Sequence, residues 1–180
     1  VIRNNVLDNN HASGISLYDI DGGAPSTGNL VINNTIRMAS TARFAVNIQD
    51  GSTHNTLRNN ILLDTVSGRG AIDISSDSLS GLTADHNAVS DAMSIDGNVM
   101  SLAAWKSRTN TDTGSFTATA AQLFTATDLS LAADSPAIDA GSATDAPATD
   151  IAGTPRPQGG AVDIGAYEHC DGAGAGAPHR

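Results

Sequence analysis

A recurring six-residue pattern constrains the fold of this chain more than any other feature. Ile2-Arg3-Asn4-Asn5-Val6-Leu7, Val31-Ile32-Asn33-Asn34-Thr35-Ile36, Leu57-Arg58-Asn59-Asn60-Ile61-Leu62 and Ala84-Asp85-His86-Asn87-Ala88-Val89 each read apolar, variable, polar, Asn, variable, apolar. The shared asparagines, Asn5, Asn34, Asn60 and Asn87, are separated by 29, 26 and 27 residues. A second element follows each of them: Ile15-Ser16-Leu17, Val46-Asn47-Ile48, Ile72-Asp73-Ile74 and Met93-Ser94-Ile95. These apolar–polar–apolar triplets carry the period-two signature of short strands with one buried face.

Two short strands and their turns in such a period leave no room for a βαβ unit, which needs ~30 residues or more including its helix. No 3.6-residue periodicity lies between the strands. The chain is therefore predicted to wind as a stack of coils, each strand pairing with its equivalent one turn on at ~4.8 Å. That is an all-β fold, a right-handed parallel β-helix or solenoid. Ile15, Val46, Ile72 and Met93 are expected to stack inside it. The repeated Asn suits the corners, because Asn tolerates the left-handed region and its amide can bond to the equivalent amide one coil away.

Residues 1-97 read as four coils, the first truncated at its start, and the opening at Val1 reads as the middle of a repeat. The chain is therefore expected to continue a longer one N-terminal to Val1. Residues 98-130 read as a transition with Trp105 and Phe116 as aromatic plugs and a helical turn near Ser101–Lys106. Residues 131-168 read as the closing unit, a C-terminal cap in which Pro136, Pro147, Pro155 and Pro157 oppose further strand pairing, so 98-168 holds the transition and this closing unit. Residues 169-180 are Gly/Ala-rich and read as a flexible tail.

The C-terminal stretch carries a resemblance. Asp134-Ser135-Pro136-Ala137-Ile138-Asp139-Ala140-Gly141, then Thr149-Asp150-Ile151-Ala152-Gly153-Thr154-Pro155-Arg156-Pro157-Gln158-Gly159, then Val162-Asp163-Ile164-Gly165-Ala166-Tyr167-Glu168, closely resembles the ending of secreted bacterial "choice-of-anchor Q" β-helix proteins. The coil patterns are similar to the repeats of the pectate-lyase-like superfamily. The resemblance implies a secreted or cell-surface protein, and a carbohydrate-active one that binds or processes polysaccharide along its outer strand face. The alternative is a non-catalytic structural or adhesive segment of a large surface protein.

Charge narrows the partners. Nine basic residues stand against 19 acids, for a net charge of −10, which argues against a nucleic-acid partner. No stretch approaches the ~20 apolar residues of a membrane-spanning helix, so no membrane insertion is expected. Cys170 is the only cysteine, so no internal disulfide can form.

The candidate chemistry lies on the outward column Ser16, Asn47, Asp73, Ser94. With Asp50 just beyond it, Asn47, Asp50 and Asp73 form the best acidic cluster for catalysis, and Asn47, Asp73 and Arg58 are the substrate-binding candidates. A lyase needs a base and a cation beside its substrate carboxylate, yet the single Lys106 lies off the coils and Arg3 and Arg58 sit two coils apart, with Ile32 between them. A hydrolase needs two carboxylates ~5–9.5 Å apart, a spacing Asp50 and Asp73 could supply. No matched acid–base set emerges, so this stretch of chain is expected to be inactive by itself. Asp139, Asp150 and Asp163 are candidate Ca²⁺ ligands, as hard oxygen donors beside turns. The same side chains could instead cap their own turns.

Overall fold

The computed structural model describes residues 1–19 and 23–170. Of the tail expected over 169-180, residues 171–180 lie outside the described residues. The chain forms a parallel β-solenoid of about four turns built from three sheets. The first sheet stacks β1 (Ile2–Arg3), β4 (Leu30–Ile32), β7 (Thr56–Arg58) and β10 (Thr83–Asp85). The second stacks β2 (Val6–Asn10), β5 (Thr35–Met38), β8 (Ile61–Leu63), β11 (Ala88–Val89) and β14 (Phe116–Thr117). The third stacks β3 (Ile15–Leu17), β6 (Phe44–Ile48), β9 (Gly70–Ile74) and β12 (Met93–Ile95), with β13 (Asn98–Met100) added antiparallel at its end.

Each coil thus has three strands, one more than the sequence pattern predicts. The Asn-containing motif is not one strand: its paired polar residues bend the backbone and split it between the first and second sheets. The left-handed residue at that bend is Asn4, Asn33, Asn59 or His86, with φ of 53°, 52°, 55° and 53°. This corrects the expectation that the recurring Asn itself holds that conformation. The residue before it turns the chain, which frees the recurring Asn to point its amide into the stack.

That amide ladder is continuous. The backbone N–H and Nδ2 of Asn5 donate to Asn34 Oδ1 (3.1 and 2.8 Å). Those of Asn34 donate to Asn60 Oδ1 (both 3.0 Å), and those of Asn60 to Asn87 Oδ1 (2.9 and 3.1 Å). From Asn34, Asn60 and Asn87, Nδ2 also donates to a carbonyl of the preceding coil: Ile2 (3.0 Å), Val31 (2.8 Å) and Leu57 (3.0 Å). Asn34, Asn60 and Asn87 are fully buried, so every one of these groups needs a partner from the protein. Asp112 ends the column: its Oδ1 accepts from Asn87 Nδ2 and Ser115 Oγ, and its Oδ2 from Trp105 Nε1 (2.8 Å). A parallel hydroxyl ladder runs through Ser26, Ser52 and Ser78, each backbone N–H donating to the next Oγ at 3.0 Å.

Inside, Ile15, Val46, Ile72 and Met93 are in register and buried, as predicted. The helical turn near Ser101 extends to α1 (Leu102–Thr109), N-capped by the Ser101 hydroxyl, which accepts from Ala104 N–H. It sends Leu102 and the fully buried Trp105 into the main core.

Residues 131–168 run along the side of the stack. Asn33 Nδ2 donates to the carbonyls of Asp163 and Gly165, Asn59 Nδ2 to that of Ser142, and Asn4 Nδ2 to that of Thr149. The Ala166 N–H donates to Thr35 Oγ1. This arm therefore binds the left-handed corner residues of three successive coils. Its Ala137 and Ile164 also join Leu123, Phe124 and Leu131 over Ile61, Leu63 and Ala88, on the outer side of the second sheet. The apolar outer positions of the second sheet are covered in this way, whereas the third sheet keeps Ser16 exposed and Asn47 and Asp73 half-buried.

Within the arm, Arg156 and Glu168 form an ion pair at 2.6 Å with side chains 1% and 0% exposed. Burial pushes the Glu168 and Asp163 carboxyls above their ordinary range, the backbone N–H donors and Arg156 offsetting only part of this. Groups with raised folded pKa values bind more protons in the native state. Their stabilising contribution is full below the unfolded values and is lost as pH rises through the folded ones. The net charge of −10 adds self-repulsion of the same sign. The thermal midpoint followed by circular dichroism is accordingly expected to fall as pH rises above the ordinary carboxyl values of 3.8 and 4.5. A midpoint that rises over this range would mean that attraction to Arg156 outweighs the burial term.

Candidate functional site

The outward column forms as the strand pattern predicts. Ser16 pairs with Asn47, Asn47 with Asp73, and Asp73 with Ser94, one coil apart on the third sheet. Its solvent access fades along the stack, for Ser94 is fully buried and its hydroxyl has no partner. The accessible stretch therefore spans the first three coils.

A cleft of about 430 Å³ opens there, lined by Ala12, Ser13, Ser16, Tyr18, Arg43, Asn47, Gln49 and Asp50. Strand alternation places Ser16 and Tyr18 on one side of β3 and its extension, and Asn47 and Gln49 likewise on β6. Asp50 sits in the left-handed region (φ 59°) at the following turn, which exposes its carboxylate. Gln49 ties the column together: its Nε2 donates to Asn47 Oδ1 (3.0 Å) and to Asp73 Oδ2 (3.1 Å). The other Asp73 oxygen is buried without a partner. Asn47 and Asp50 thus share the cleft, and Asp73 joins them through Gln49. Tyr18 and Arg43, which also line the cleft, are not among the ligands expected from the sequence. An aromatic two residues beyond the outward Ser16 was the available signal for Tyr18.

Arg58 is not brought to this site. It lies on β7 of the first sheet, where its Nη1 donates to Asp145 at 2.6 Å and its side chain is only 13% exposed. It fastens the arm to the stack. Lys106 is likewise engaged, donating to the carbonyls of Thr113 and Ser115.

The three acids considered for Ca²⁺ cap backbone amides. Asp150 Oδ1 accepts from Ala152 and Thr154 N–H, and its Oδ2 from Glu168 N–H. Asp163 Oδ1 and Oδ2 accept from Asp139 and His169 N–H, and Asp139 Oδ1 accepts from Ala161 N–H. Among the described residues no group of three or more His, Cys, Asp or Glu side chains is placed to hold a metal ion. The donor set is that of capped turns. No helix among the described residues is long and apolar enough to cross a membrane.

The fold and this site define a parallel β-solenoid with a polar, accessible face on its third sheet and a laterally bound arm. Comparison with protein-family models, with curated proteins and with solved structures finds no match.

Proposed function

We propose that this chain is part of a secreted or cell-surface β-helix protein, right-handed and related to the pectate-lyase-like proteins it resembles, that binds a polysaccharide along the outer face of its third sheet. One observation carries the reading: the cleft beside Tyr18 continues an in-register polar column, so equivalent polar groups recur at the ~4.8 Å coil spacing. A polymer with its own repeat can meet such a column at several points. Tyr18, with 39% of its surface exposed, offers a ring for the C–H face of a pyranose, and Asn47, Gln49, Arg43 and Asp50 offer donors and acceptors for hydroxyls.

The net charge of −10 favours a neutral glycan over a polyuronate at low salt, with the difference shrinking as salt screens it. Binding without turnover is expected, since the cleft holds one carboxylate and no acid–base pair of matched geometry. Calorimetric titration with neutral glycans, pectate and alginate tests this, alongside assays for lyase and hydrolase products. Tyr18→Ala is expected to weaken binding about tenfold. Absence of binding to every polymer would leave the structural or adhesive role, and turnover lost in Asp73→Ala would restore the catalytic one.

A further inference from the structure

The two amides of the glycan cleft are not free to present either end to a ligand. Asn47 and Gln49 both line the cleft, whereas Asp73, one coil on and half-buried, does not. A single Gln49 atom, Nε2, meets both neighbours, at 3.1 Å from Asp73 Oδ2 and 3.0 Å from Asn47 Oδ1. A carboxylate only accepts, so the Gln49 atom that faces Asp73 has to be the NH₂ group. That nitrogen gives its second hydrogen to Asn47, which must answer with its oxygen. One acid thus fixes the direction of two amides.

What remains for a ligand is one donor, Asn47 Nδ2, and one acceptor, Gln49 Oε1. Among the described residues neither atom has a partner, and neither is sealed from solvent. Sugar hydroxyls both donate and accept, so a run of them satisfies both groups. A carboxylate answers only Asn47 and leaves Gln49 Oε1 without a donor. Asp73 does not reach the ligand itself: it lies outside the cleft lining, and its remaining oxygen is buried. We propose that Asp73 is a positioning residue acting through Gln49, and that the orientation it imposes selects uncharged, hydroxyl-bearing sugar units over uronates. This rests on the polysaccharide reading and adds to it a preference that does not depend on net charge.

The test compares a neutral oligogalactan with oligogalacturonate by calorimetric titration at about 1 M salt, where a screening length of ~3 Å removes the long-range effect of net charge. The wild-type chain is expected to bind the neutral oligomer about tenfold more tightly, the scale of one acceptor left unpaired. Asp73→Asn keeps the shape but can either accept from Gln49 or donate to it, so the preference is expected to disappear. Asp77→Asn, which removes the same charge at an exposed position outside the cleft, leaves the preference as it was. A second readout needs no variant: by NMR, the Gln49 Nε2 hydrogens of the wild-type chain are expected to exchange with water severalfold more slowly than those of the exposed Gln122. An unchanged preference in Asp73→Asn, or equally fast exchange at Gln49 and Gln122, would overturn the proposal and leave glycan binding standing. Failure of the wild-type chain to bind either oligomer would overturn both.

Discussion

Replacing Arg156 with methionine is expected to destabilise the protein by about 3–5 kcal/mol, the range for breaking a buried ion pair from one side. The guanidinium holds Glu168 at 2.6 Å and also donates to the carbonyls of Asp163 and Gly165. Its removal leaves the Glu168 carboxylate with only the N–H groups of Gln158 and Asp163, in a place where both side chains are almost wholly enclosed. Glu168 can relieve part of this by taking up a proton, which its raised pKa favours. The loss should therefore be smaller near pH 5 than near pH 7 when measured by urea unfolding. A loss below about 1 kcal/mol at neutral pH would place the arm's stability in its apolar contacts, Ile164 and Ala137 above all.

Asn60→Leu is expected to cost about 2–4 kcal/mol, through several buried groups left unpaired at once. The Asn34 N–H and the Val31 carbonyl each lose their bond to this amide, and Asn34 Nδ2 and Asn87 Oδ1 each lose one of theirs. The same change at Asn5 should cost less than about 1 kcal/mol, because that end of the ladder is partly exposed and water can replace the amide. Equal losses at the two positions, by thermal or urea unfolding, would show that the ladder contributes nothing beyond local geometry.

Much of the stack was legible in the sequence because solenoid coils contact only their neighbours, so each coil repeats the same spacing. The Asn ladder and the buried Ile15–Val46–Ile72–Met93 column follow from that locality. The third strand of each coil was not legible, since the bend lies within a motif whose apolar positions run on without interruption. The serine ladder was readable in principle from the even spacing of Ser26, Ser52 and Ser78, although serine is too common in turns to stand out. The arm's placement was hidden for a different reason. Its partners lie far away in sequence, as with Asn4 and Thr149, and nothing in the arm's own sequence marks which corner of the stack it meets. The same contacts took Arg58 out of the candidate site.

The central claim is that the third sheet's outer face is the working surface of this solenoid. A titration of the isotope-labelled chain with a neutral oligosaccharide, read as backbone amide shifts, tests it most directly. The account predicts shifts concentrated at Ser16, Tyr18, Arg43, Asn47, Gln49 and Asp50, with the first sheet and the arm around Arg156 unchanged. Shifts centred on Arg3, Arg58 or the arm, or no shifts with any glycan, would contradict it.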